Sequence, residues 1–80
     1  MGSPKVRPAL ERLGQDIRNA RLRRSIAVAD LALRSGTSAS SIARLEKGDP
    51  GVAIGTLADV LVVLGLVERL ADLISICRRL

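Results

Sequence analysis

The groups in this sequence that could do chemistry are led by cations, 13 Lys/Arg against 8 Asp/Glu. Arg21, Arg23 and Arg24 close one segment, Arg44 and Lys47 close another, and Lys5 and Arg7 stand near the start. Hydroxyls gather at Ser38, Ser40 and Ser41, the one thiol is Cys77, and His, Phe, Tyr and Trp are absent. That inventory excludes the usual four-ligand zinc sites, histidine proton transfer and internal disulfides. It also removes the aromatic platforms on which single-stranded nucleic acid and RNA modules stack bases. No nucleophile stands beside a base, so no enzyme is expected, and no cofactor or metal. The net charge of +5 is unevenly placed: residues 1–47 hold 10 Lys/Arg against 4 Asp/Glu, and residues 48–80 hold 3 against 4. A pI near 11.1 concentrated in one half is the electrostatic footprint of a polyanion binder, and a merely solubilising surface would give the same composition.

Three further features have a chemical reading that their context does not support. Gly51 and Gly55 could suggest a phosphate-cradling loop, but no strand precedes them and no Lys-Ser/Thr pair follows, so they read as loop punctuation. Cys77 falls on an apolar helical stripe without a basic or His neighbour on that face, so it reads as a small core residue with an unreactive thiol. The Arg21–Arg24 run could be a membrane-surface patch. At a helix end it reads better as a phosphate contact or as a complement to the helix's negative pole.

The elements that must position these groups are short helices in one small domain. An 80-residue chain buries only about 60% of its unfolded surface. Its 13 Leu, 6 Ile and 7 Val are enough for a core and well clear of disordered composition. The longest apolar run, Val60 to Val67, is broken by Gly65 and falls short of the roughly 20 residues a membrane span needs, so a cytoplasmic location with no membrane partner is expected. A lone cysteine agrees with a reducing compartment. Residues 1–3 are set aside as a start or an expression scar. Residues 1–7 read as a basic tail and 8–80 as a single domain.

Pro8 suits a first helical turn, and Leu10, Leu13, Ile17 and Ala20 repeat at helical spacing, so the first helix is expected over 9–23. Gly14 in its middle lowers propensity and leaves room for another helix to approach. Arg21, four residues after Ile17, falls along the buried stripe and needs a partner there. A second helix over 28–35 is stopped by Gly36. Ser38 caps a third over 39–47, with Ile42 and Leu45 inward and Gly48-Asp49-Pro50-Gly51 as its stop. A fourth is expected over 54–64 and a fifth over 66–79. Two short helices joined by a glycine turn form a helix-turn-helix.

The stretch LALRSGTSASSIARLEKG resembles the helix-turn-helix of the Cro/lambda-repressor-like, or XRE-type, family, with Ala32, Gly36, Ile42 and Leu45 at that family's core spacing. The segment EKGDPGVAIGTLADVLVVLGL is similar to the helix-four region of HipB-like antitoxins, which pair with kinase-like HipA toxins. The resemblance implies an all-α, compact five-helix lambda-repressor-like domain that binds double-stranded operator DNA as a homodimer. It further implies a cytoplasmic antitoxin and autorepressor of a toxin–antitoxin operon, with a HipA-like toxin as partner.

Carried onto this chain, the family's third helix lies in the major groove with Ala39, Ser40, Ala43 and Arg44 facing bases. Ser38 and Ser41 then stand near phosphates, Lys47 lies beyond, and Arg23 and Arg24 add backbone attraction. A lone exposed arginine is ordinarily a solvated charge; within this motif Arg44 reads as the one side chain able to bond guanine at two points. The same resemblance supplies Glu46 as the partner of Arg21. This chain departs from the family at Ala27-Val28, Ala39 and Ala53, where relatives often carry hydrogen-bonding side chains. Those departures favour a second reading, an interaction module with little specific DNA readout. Val62 and Val63 on the fourth helix and Ile76 on the fifth have no obvious place in a core and are expected to form the dimer interface.

Overall fold

In a computed structural model, residues 3–70 are described. The helices are α1 (Val6–Arg23), α2 (Val28–Ser35), α3 (Ala39–Glu46) and α4 (Ile54–Val63). Residues 67–70 are again helical, where the fifth helix was expected to begin. No strand occurs among the described residues. The fold is all-α and contains a helix-turn-helix. The expected remainder of the fifth helix, with Ile76 and Cys77, lies outside the described residues.

α1 begins three residues earlier than its apolar repeat suggests, so Val6 and Arg7 belong to the helix and not to a tail. Pro8 is thus its third residue. Proline is tolerated throughout a first turn because those N–H groups have no intrahelical acceptor. Lys5 makes no side-chain cap; the turn is started by the Val6 N–H donating to the Ser3 carbonyl at 3.2 Å.

Leu31 of α2, Ile42 of α3, Val60 of α4 and Leu64 just after it are the most deeply buried of the large side chains. α2 packs on α3 and α4, and α1 packs on α3. Ala32 is buried where α2 meets its neighbours, small enough to let backbones approach. Gly14 does the same for α1: a Cβ there would stand 2.5 Å from the Glu46 carbonyl oxygen and 2.6 Å from that of Leu45. Val63, expected on an outer face, packs against the core. It lies one turn past Val60, and the apolar stripe of α4 is wide enough to include it. Val62 is 59% exposed. Ser35 Oγ is buried without a hydrogen-bond partner.

All four helices close alike. At the end of α1 the Ser25 N–H donates to the Leu22 carbonyl and the Ile26 N–H to that of Arg21, the paired bonds of a Schellman motif. Equivalent bonds close α2, α3 and α4 around Gly36, Gly48 and Gly65, each with positive φ. Only α1 uses a residue with a side chain, Ser25 at φ 55°, where a non-glycine residue sits at a cost of roughly 1–2 kcal/mol. Ile26, held by this closure, is buried in the core, and its burial offsets that strain.

Candidate nucleic-acid interface

The helix-turn-helix is built from α2, the turn through Gly36, and α3. Gly36 takes φ 69° at the end of α2, and the chain re-enters a helix at Ser38. Ser38 Oγ accepts from the Ser41 N–H at 3.1 Å and donates to Ser41 Oγ at 3.0 Å. Both hydroxyls are thus used within the protein to start α3. Ala27 and Ala53 hold the extended backbone of helix caps but supply no side-chain bond. The first-turn N–H groups of α2 and α4 therefore lack a side-chain acceptor.

Ile42 and Leu45 bury one face of α3. Ala39, Ser40, Ala43, Arg44 and Lys47 all lie exposed; at 100° per residue Ser40, Ala43, Arg44 and Lys47 share the opposite face, and Ala39 stands at its edge in the first turn. It is mostly small, so a double helix could approach the backbone closely. Arg44 is its longest group. Its Nε donates to Asp49 Oδ2 at 2.9 Å, and Asp49 Oδ1 accepts from the Gly51 N–H at 2.7 Å. The bond to Asp49 raises the Arg44 pKa above its ordinary value. The Arg44 guanidinium, and then the Gly51 N–H, hold the Asp49 carboxyl below its ordinary value. Asp49 and Gly51 were missed as site residues because they lie beyond the helical repeat, in a stretch that reads as punctuation.

α3 is held from behind by α1. Arg21 Nε donates to Glu46 Oε2 at 2.7 Å, Nη2 donates to Oε1 at 3.1 Å, and Nη1 donates to the Ile26 carbonyl at 2.9 Å. Both side chains of the pair are 8% exposed. Hydrogen bonding to Glu46 raises the Arg21 pKa against the opposing effect of burial. At the same end of α3, Gly48 rests on the backbone of Leu10 and Glu11.

Among the described residues, no contact gathers the remaining cations on the α3 face. Arg24 Nη1 donates to the Ala20 carbonyl at 2.9 Å, satisfying a carbonyl near the negative pole of α1. Arg23 is exposed. Lys47 instead borders a polar cleft with Arg7 and Glu11, which brings the first turn of α1 to the end of α3. No group of three or more His, Cys, Asp or Glu that could hold a metal occurs among the described residues. None of the helices described is long and apolar enough to cross a membrane.

No match was found among curated proteins or among solved structures. The family described as "Helix-turn-helix domain" matches residues 12–74, which is most of the chain and takes in α2, α3 and the turn that joins them. The chain belongs to this family of helix-turn-helix domains.

Proposed function

We propose that this chain is a sequence-specific, double-stranded DNA-binding transcriptional regulator of the XRE type. The observation that carries the reading is the outer face of α3: small side chains around one tethered arginine, on the second helix of a helix-turn-helix. Phosphate attraction from the basic half of the chain supplies most of the affinity, and Arg44 supplies a guanine contact worth roughly tenfold or more in discrimination. The finer reading is the cytoplasmic antitoxin and autorepressor of a HipA-like toxin operon, supported by the helix-four segment that is similar to HipB-like antitoxins. A homodimer through α4 and the fifth helix is supported by the exposure of Val62; Val63 beside it is only partly buried against the core.

Fluorescence anisotropy over a salt series, comparing the chain's own upstream region with a random duplex, tests the function. Strong preference for the upstream duplex is expected, and equal affinity for both overturns it. The missing side-chain caps at Ala27 and Ala53 favour a second reading, a protein-interaction module on the same fold. Its signature would be no duplex binding even at low salt.

A further inference from the structure

The regulator reading leaves open how an exposed arginine on a two-turn helix could read a base with any fidelity. A guanidinium has two edges that present a pair of parallel donors, one formed by Nε and an Nη and the other by the two Nη groups. Free in solvent, Arg44 would offer both, from many rotamers. In this structure the Nε–H is committed to Asp49 Oδ2, and Asp49 is itself fixed by the Gly51 N–H. Gly51 completes the seat, because a Cβ on it would stand 2.8 Å from Arg44 Nη2 and 3.1 Å from Asp49 Oδ1. The guanidinium thus lies over a bare backbone, tied at one nitrogen, with only its outer edge still able to present two donors together.

The geometry points to Asp49 and Gly51 as positioning residues that hold Arg44 so that its two Nη groups meet the O6 and N7 acceptors of one guanine in the major groove. This deepens the regulator reading and rests on it. Asp49 then acts against its own charge: a carboxylate beside a phosphate-rich duplex lowers general affinity, and what it returns is selectivity. A latch in which Asp49 must let go of Arg44 before DNA binds makes the opposite forecast for selectivity, so the two can be told apart.

The probe is a duplex selected by the unmodified chain from a randomised pool. It is compared by anisotropy with a random duplex and with the selected duplex carrying 7-deazaguanine, which lacks the N7 acceptor, at each guanine in turn. For the unmodified chain one such replacement should weaken binding roughly tenfold, within the range a bidentate arginine–guanine contact supplies. Arg44→Ala should abolish that penalty. Gly51→Ala, which changes no charge and meets only the end of the Arg44 side chain and a turn carboxylate, should keep the helical circular dichroism and random-duplex affinity while shrinking the penalty to about threefold or less. Asp49→Asn should tighten random-duplex binding and also shrink the penalty. In the nuclear magnetic resonance spectrum, the Arg44 Nε–H signal should stay protected when the selected duplex is added.

A deaza penalty that survives both Gly51→Ala and Asp49→Asn overturns the positioning role alone. So does loss of the protected Nε–H signal on DNA binding. A pool that yields no preferred duplex for the unmodified chain overturns the regulator reading, and the positioning role with it.

Discussion

Two arginine–carboxylate pairs flank the end of α3, and their surroundings make them different devices. Arg21 and Glu46 are each 8% exposed, and all three guanidinium nitrogens of Arg21 have partners. Arg44 and Asp49 are 50% and 35% exposed and share a single nitrogen–oxygen bond. Where water is excluded, an ion pair cannot be given up without stranding a charge. Where water and salt have access, the pair is worth little in stability and serves to orient the arginine's free edge. α3 is therefore fixed on the side facing α1 and open on the side facing solvent.

The largest expected effect comes from breaking the buried side. Arg21→Ala should cost about 3–5 kcal/mol in urea unfolding, a large part of what a chain of this length holds. Replacing both partners, Arg21→Met with Glu46→Leu, should recover much of that loss, because no charge is then left unpaired. A cost under about 1 kcal/mol for the single substitution would show that the pair does not hold α3.

A matched pair of glycine substitutions should divide the two sides next. Gly14→Ala drives a methyl into the carbonyls of Leu45 and Glu46 and should cost about 3 kcal/mol, the upper end of ordinary overpacking. Gly51→Ala meets only the Arg44 tip and the Asp49 carboxylate, so its stability should stay within about 0.5 kcal/mol of the parent. Equal thermal shifts for the two would erase the distinction between a packed junction and an open turn.

The smallest effect concerns pH. The Asp49 carboxyl is lowered in the folded chain, first by the bond from Arg44 and then by the Gly51 N–H. Its contribution to stability is present above the unfolded carboxyl value of about 4 and fades as pH falls through the lower folded value. Carbon-detected titration should show Asp49 ionising below the ordinary range, and Arg44→Ala should move it upward. No upward movement would mean that the turn backbone alone sets the shift.

Much of this arrangement is legible in the sequence, for identifiable reasons. Arg21 can be placed inward because it continues the spacing of Ile17 along a regular helix, and Gly36 marks the end of α2 because a positive φ is needed there. The seat of Arg44 is not legible. Asp49 lies five residues on, past the end of α3, where the chain reverses and helical spacing has nothing to say about neighbours. The partial burial of Val63 is not legible, because it lies at the edge of the apolar stripe of α4 and meets the core only through the packing of the helices. The start of α1 was set too late because its first turn, Val6, Arg7 and Pro8, continues no apolar repeat.

The division of α3 into a held face and a bare one also bears on how such a domain can change over generations. Ala39, Ser40 and Ala43 stand exposed with no side-chain bond among the described residues, while the side chains of Ile42, Leu45 and Glu46 are turned to the rest of the domain. Surface exchanges remote from packed groups usually shift stability by less than about 0.5 kcal/mol. Drift at those three positions therefore passes through variants that still fold. A lineage can try new binding preferences one residue at a time, keeping the scaffold constant, and duplicated copies can diverge in target without first acquiring compensating changes in the interior.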